Sequence, residues 1–230
     1  MAVQIPALTI RRNFSRPDTA HVAALTGVQS GYVVDARGRR GALDHHIRPL
    51  TVATDFVGTA VTVQTRPRDN LAPWAALTLC QPGDVLVIAC SAYEEASIIG
   101  DILVAMAKNN GVVACVTDGM ARDIAGINAV GIPVFGRGLT PNSPFKDGPG
   151  EIGTSIVLGG MTVNSGDVLV GDRDGLVWSW CRAWSSPRCW GNSTWCAPRR
   201  RGWTPPSRPA KRRRTGSTRR SRSKACATFK

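Results

Sequence analysis

Asp101 and the pair Arg122-Asp123, separated by twenty residues, are the charged side chains whose types and spacing best suit chemistry. The segment Gly100-Asp101-Ile102-Leu103 stands at an expected helix start, where unpaired backbone N–H groups make a carboxylate site. Asp118-Gly119-Met120-Ala121-Arg122-Asp123 follows a buried strand, and functional residues in such sheets gather beyond the carboxyl ends of strands. Arg122 offers a planar, bidentate clamp for a carboxylate, and Asp123 a hard oxygen ligand for Mg²⁺ or Mn²⁺. Together they would hold a 2-oxo acid by its carboxylate and polarise its keto oxygen. The same residues also carry an ordinary reading: Asp101 and Asp123 as helix caps, and Arg122 as the partner of a surface carboxylate.

The elements that must position these groups alternate between strands and helices. Pro17 to Gly27 reads as a first helix with Asp18 or Thr19 near its start. Ala60 to Gln64 alternates as a half-buried strand. Val85 to Ala89, after the Pro82-Gly83-Asp84 turn, is a continuous apolar run suited to a buried strand. Ile98 to Lys108 has helical spacing, with Ile98, Ile102, Ala105 and Met106 on one side. Val112 to Val116 is a second buried strand, turned by Thr117-Asp118-Gly119. Arg122 to Val130 reads as a short helix ended by Gly131, with Pro133 beyond. Short strands follow at 133–135, 155–158, 161–163 and 168–172, and Asp174 to Val177 begins another. The alternation predicts an α/β fold with a largely buried sheet.

Charge divides the chain. The formal net charge is +13, yet 15 of the 29 Lys and Arg, and none of the 16 Asp and Glu, fall in 178–230. Residues 1–177 therefore form a nearly neutral unit, long enough to bury a core. The basic remainder, 178–230, holds six of the seven Trp and four of the seven Cys and shows neither helix nor strand period. Trp has a single codon, TGG; read from one nucleotide upstream, every Trp becomes Val, Leu or Met. With GC-rich codons, residues 178–182 then give Val-Val-Val-Val-Pro, which completes the strand begun at Asp174. The tail thus reads as a shifted frame, and its composition as disordered.

The rival reading is a nucleic-acid-binding tail, with Arg199-Arg200-Arg201 and Lys211-Arg212-Arg213-Arg214 on phosphates and Trp side chains stacked on bases. Under either reading, nonspecific, salt-sensitive nucleic-acid binding is expected of it. Cys181, Cys189, Cys196 and Cys226 lack the paired short spacings of zinc sites. Cys80, Cys90 and Cys115 read as small buried hydrophobes of a reducing cytoplasm. No run approaches the roughly 20 apolar residues of a membrane span, and residues 1–20 lack the apolar region of a secretory signal.

Several words in the chain keep the order and spacing of one family. Asp101, Arg122 and Asp123 form a D-x20-R-D pattern. Around it stand Val33-Val34-Asp35-Ala36-Arg37-Gly38-Arg39, Ile47-Arg48-Pro49-Leu50, Gly58-Thr59-Ala60-Val61-Thr62, Gln81-Pro82-Gly83-Asp84, Val116-Thr117-Asp118-Gly119 and Gly166-Asp167-Val168-Leu169-Val170 with Asp174-Gly175. Over roughly residues 10–177 the chain resembles the 4-hydroxy-4-methyl-2-oxoglutarate aldolases, which overlap the RraA-like family (regulator of RNase E activity A). The resemblance implies a swivelling β/β/α domain resembling the phosphohistidine domain, in a homotrimer or a hexamer, with sites between neighbouring subunits. It implies that Asp123 ligates the metal. Arg122 would grip a pyruvyl carboxylate with the backbone N–H groups of Ile102 and Leu103, beside Gly100, and Asp101 would hold a water on the metal. Asp35 matches a position that is Glu in characterised aldolases.

The implied reaction is a metal-dependent retro-aldol cleavage of 4-hydroxy-4-methyl-2-oxoglutarate or a similar oxo acid, such as 4-carboxy-4-hydroxy-2-oxoadipate. Metal-activated water serves as base, and oxaloacetate decarboxylation is a side activity. The chain departs from the family where a C-terminal helix should carry an acidic residue, since 178–230 has none. The alternative is a non-enzymatic regulator that binds a ribonuclease or another protein. Such regulators lack the first Asp of the pattern, so Asp101 points to the enzyme. A methyltransferase role finds no Gly-rich strand–loop–helix; Gly136-Arg137-Gly138 is too short. His21, His45 and His46 match no metal spacing and read as surface residues.

Overall fold

A computed structural model describes residues 7–179. The N-terminal segment supplies β1 (Leu8–Ile10), α1 (Thr19–Ala23), α2 (Ser30–Ala36) and β2 (Arg48–Pro49). Then come β3 (Phe56–Thr65), α3 (Leu71–Ala76), β4 (Asp84–Ala89), β5 (Ser97–Ile99), α4 (Asp101–Asn109) and β6 (Ala114–Thr117). After β6 the chain makes β7 (Met120–Ala121), α5 (Ile124–Val130), β8 (Val134–Gly136) and β9 (Gly138–Leu139). It closes with β10 (Gly150–Ile152), β11 (Ile156–Leu158), β12 (Met161–Val163), β13 (Val168–Asp172) and β14 (Gly175–Ser179). No described helix is long and apolar enough to cross a membrane.

The fold is α/β. Strands β3, β4, β6 and β8 lie parallel at the centre of a nine-stranded sheet. The free edge of β3 is shared: its first residues pair antiparallel with β13, its last with β10. Side chains alternate across this sheet, and both faces are covered. On one face Val61, Val63, Leu86, Ile88 and Cys115 pack against Leu103, Val104 and Ala107 of α4 and Ile127 of α5. On the other, Ala60, Val85, Val87, Ala114 and Val116 meet Ile156, Leu158 and Val163 of the β11–β12 hairpin, with Leu169 of β13. The result is the expected β/β/α layering.

Two expectations are corrected. The 60–64 strand is buried on both faces rather than one, because the β11–β12 hairpin covers the side left to solvent in the sequence reading. The 98–108 helix begins only at Asp101: Ser97–Ile99 is strand β5, paired with β7, and Gly100 in extended backbone separates the two elements. The helix is consequently rotated relative to the expected apolar face. Leu103, Val104 and Ala107 are buried, while Ile102 is 65% exposed and Met106 44% exposed. The first helix does start at Asp18, whose carboxylate accepts the Ala20 N–H at 2.8 Å. Strand β14 runs through Ser179, with the Trp178 indole N–H donating to Asp167 at 2.6 Å. The remainder of the expected tail, 180–230, lies outside the described residues.

Candidate functional site

The site is built on a second, three-stranded sheet, β5–β7–β9, which stands beside the helix layer. Strand β5 hands the chain to α4 through Gly100, and β7 hands it to α5 through Arg122 and Asp123, so the two helix starts lie side by side. The Arg122 N–H donates to the Ile99 carbonyl at 3.0 Å, locking the second crossing to the first. This juxtaposition brings Gly100, Arg122 and Asp123 together across twenty residues of sequence. A Cβ on Gly100 would lie 3.2 Å from Asp123 Oδ2 and 3.5 Å from Arg122 Nε. Glycine therefore leaves a recess beside the charged pair that any other residue would fill.

Arg122 is held at two points. Its Nε lies 3.2 Å from Asp123 Oδ2, and its Nη1 donates to Ser143 Oγ at 2.6 Å. Both charged side chains stay well exposed, at 37% and 45%. Asp123 adopts left-handed backbone geometry (φ 59°, ψ 41°), a conformation uncommon outside glycine. It occupies the capping position of α5 but makes no side-chain capping hydrogen bond. The ordinary explanation for an Asp at this position is thus absent, and the carboxylate faces outward.

Asp101 is the first residue of α4, after Gly100 at the cap. Its Oδ1 accepts the Ile102 N–H at 2.7 Å, which occupies the first of the two backbone donors expected to bind a substrate carboxylate. The carboxylate sits against the first turn of α5: a Cβ on Gly126 would be 2.6 Å from Asp101 Oδ2. Leu103 is buried and anchors the helix to the sheet. Asp35 lies exposed near the end of α2, which packs on β13 and β14. No hydrogen bond or ion pair among the described residues joins it to Asp101, Arg122 or Asp123.

The donor set fits a hard divalent cation. Asp123 presents a carboxylate whose Oδ1 accepts no hydrogen bond among the described residues, next to the open recess at Gly100. Mg²⁺ is commonly held by one or two protein carboxylates with several waters retained. Among the described residues the cysteines are unsuited to metal or nucleophilic work. All three are free thiols. Burial pushes Cys80 up to about 12 and raises Cys90 and Cys115 further.

The sequence reading takes the loop Asn142 to Gly153 as a wall for the distal end of a substrate but misses Ser143 as a partner of Arg122. That loop is pinned at Asn142, whose carbonyl accepts from Ser97 N (2.9 Å) and Ser97 Oγ (2.8 Å), and again by Asp69. Asp69 is fully buried and accepts the N–H groups of Leu71, Asp147 and Gly148 at 3.0, 2.7 and 3.0 Å. A second unforeseen feature is an open cleft of about 470 Å³ lined by Asp44, Gln64, Ser91, Asp118, Arg137 and Gly160. No sequence motif marked either one, because both depend on contacts between segments far apart in the chain.

With this geometry in hand, the chain can be compared with known proteins. A sequence profile of the RraA-like family (Aldolase/RraA) matches residues 27–178. A protein of Halalkalibacterium halodurans, provisionally named a 4-hydroxy-4-methyl-2-oxoglutarate aldolase, is 41% identical over 131 residues. That alignment spans 57% of this chain and 62% of the relative, so less than two thirds of the relative's length is matched. Streptomyces coelicolor RraAS2, described as an unusual member of the RNase ES inhibitor RraA family, is 30% identical. Its structure superposes with a TM-score of 0.64 over 73% of this chain and 89% of that one. The RNA-processing inhibitor RraA of Thermus thermophilis shares the fold at 23% identity, with a TM-score of 0.62 over 67% and 93% of the two chains.

Proposed function

Because the chain belongs to the RraA-like (Aldolase/RraA) family, we propose that its Gly100-Asp101 and Arg122-Asp123 site releases pyruvate from a 2-oxo acid by carbon–carbon cleavage. The observation that carries this reading is the pairing of an outward, uncapped Asp123 carboxylate with Arg122 beside the Gly100 recess. The substrate is of the 4-hydroxy-4-methyl-2-oxoglutarate or 4-carboxy-4-hydroxy-2-oxoadipate type, handled in the cytoplasm. Asp123 would hold Mg²⁺ or Mn²⁺, which would polarise the keto oxygen and balance enolate charge.

The chain's own groups do the rest. A guanidinium has five N–H donors; Arg122 spends one on Ser143 and lies in ion-pair contact with Asp123 through Nε, leaving its Nη2 donors for the substrate carboxylate. The N–H groups of Ile102 and Leu103 at the start of α4 complete that cradle, the first being released by Asp101 as substrate enters. Asp101 orients the water that removes the C4 hydroxyl proton. The C3–C4 bond then breaks: the C4 oxygen's electron pair forms the carbonyl of the departing fragment, and the bond's own pair passes into the pyruvate enolate, whose charge Arg122 stabilises. A proton from water adds at C3 to give pyruvate. Oxaloacetate loses CO₂ through the same enolate as a side activity. The exposed Ile102 and Met106 beside the site support a covering second copy, in a homotrimer or hexamer. Asp35 joins the site only from such a neighbour.

The likeness to RraAS2 supports a second reading, a regulator that binds a ribonuclease without catalysis. Pyruvate formation from 4-hydroxy-4-methyl-2-oxoglutarate and from oxaloacetate separates the two. The chain is assayed beside one whose reading frame is shifted after Val177, which we propose restores the family's C-terminal segment. Turnover in the restored chain supports the lyase. Silence in both assembled chains, with ribonuclease binding, supports the regulator.

A further inference from the structure

We propose that Asp44, His45 and His46 form a binding site for a borderline transition cation such as Zn²⁺, separate from the hard-cation site at Asp123. Asp44 is fixed before any ion arrives. Its Oδ2 accepts Arg137 Nη2 at 2.6 Å, and Arg137 also reaches Glu94. This leaves Oδ1 facing the two imidazoles, with His46 Nδ1 at 2.8 Å and His45 Nδ1 at 3.4 Å. The His46 N–H also donates to this oxygen at 3.0 Å, so the turn that aims the rings is itself held by the carboxylate. One donor atom from each of the three side chains lies within 4.8 Å of the others. Among the described residues, no other group of three His, Cys, Asp or Glu side chains does so.

Both distances to Asp44 suit coordination. Zn²⁺ bonds of about 2.1 Å place neighbouring donors roughly 3.0–3.4 Å apart in octahedral or tetrahedral geometry. The His45 contact already has that spacing, and the His46 contact needs to open by only about 0.2–0.6 Å to admit a cation. Two imidazoles and a carboxylate favour Zn²⁺, Ni²⁺ or Cu²⁺ over Mg²⁺. Three protein donors also leave coordination positions free, and Asp44 lines the open cleft with Arg137, Asp118 and Gly160.

The protein has only three histidines, which makes the test direct. The full chain, purified without a histidine tag and kept in excess Mg²⁺, is titrated with Zn²⁺ while the imidazole resonances are followed by NMR. The His45 and His46 resonances are expected to shift together within the first equivalents of Zn²⁺, with His21 on α1 unmoved and Mg²⁺ without effect. Zinc taken up by cysteines elsewhere in the chain leaves these resonances unmoved. Asp44→Asn should weaken the shift-detected affinity about tenfold or more. His46→Gln, which leaves the Asp44–Arg137 pair intact, should do the same. Unmoved His45 and His46 resonances in excess Zn²⁺, or unchanged affinity in folded Asp44→Asn and His46→Gln, would overturn the assignment. Failure of the pyruvate assay bears on Asp123 and leaves this readout untouched.

Discussion

The contact between the two helix starts can be tested with one methyl group. Gly126 lies inside α5, and a Cβ there would stand 2.6 Å from Asp101 Oδ2, 2.8 Å from its Cβ and 3.1 Å from its Cγ. Ordinary contact begins near 3.4 Å, so Gly126→Ala must part α4 and α5 by about 0.6 Å at Asp101 Cβ, which no rotamer change can move aside. Overpacking of this kind costs about 1–3 kcal/mol, while replacing a helical Gly by Ala returns about 1 kcal/mol of helix propensity. The net loss is about 0–2 kcal/mol, too small to interpret alone. A double-mutant cycle separates the two effects. In an Asp101→Gly background the opposing atoms are gone, the propensity gain remains, and Gly126→Ala becomes stabilising. Urea unfolding of the four chains should give a coupling of about 1–3 kcal/mol. Additivity within about 0.5 kcal/mol would refute the packing of Asp101 on α5. The same 0.6 Å displacement should lower pyruvate release about tenfold, since misplacement by about 1 Å can cost on the order of 100-fold.

Other outcomes follow from the same geometry. Asp69→Ala strands three N–H groups, the Gly148 one buried and those of Leu71 and Asp147 part-buried, and should cost about 2 kcal/mol or more in urea unfolding; Asp69→Asn keeps an acceptor and should cost less. Ser143→Ala frees one Arg122 donor from its tether and should raise KM for the oxo acid several-fold with kcat little changed, read by steady-state kinetics. The raised Cys80 thiol gives stability that is complete below its ordinary 9.0 and lost as pH rises towards about 12. In that window unfolding free energy should fall by up to about 1.4 kcal/mol per pH unit from this group, and Cys80→Ala should flatten the profile.

The parallel core was legible in the sequence because its signals are local. Val85–Ala89 and Val112–Val116 are continuous apolar runs, and the doubly covered sheet they imply is the one observed. Gly131 ends α5 in the left-handed conformation that glycine favours. The helix at 98–108 misled because Ile98 and Ile102 share helical spacing by chance. Ile98 is buried in β5, and Ile102 projects from a helix that Leu103, Val104 and Ala107 hold in another rotation. Arg122 and Asp123 stand out by type and spacing only together with the family resemblance, since Asp123 reads equally as an ordinary helix cap. Their meeting with Gly100 depends on the β5–β7 pairing, which two- and three-residue strands announce weakly in sequence. Ser143 and the Asp44–Arg137 pair arise wholly from long-range contacts and carried no sequence signal.

If Asp123, paired with Arg122, makes this an oxo-acid lyase, its carboxylate is indispensable, and pyruvate release by the Asp123→Ala chain is the decisive assay. The frame-restored protein and its Asp123→Ala counterpart, matched for unfolding midpoint and oligomeric state, are assayed with Mg²⁺ and with EDTA. Turnover is expected only for the unsubstituted chain with Mg²⁺, with a loss of at least about 100-fold in each of the other three conditions. Turnover by Asp123→Ala at the parental rate, or turnover undiminished in EDTA, would contradict the lyase reading.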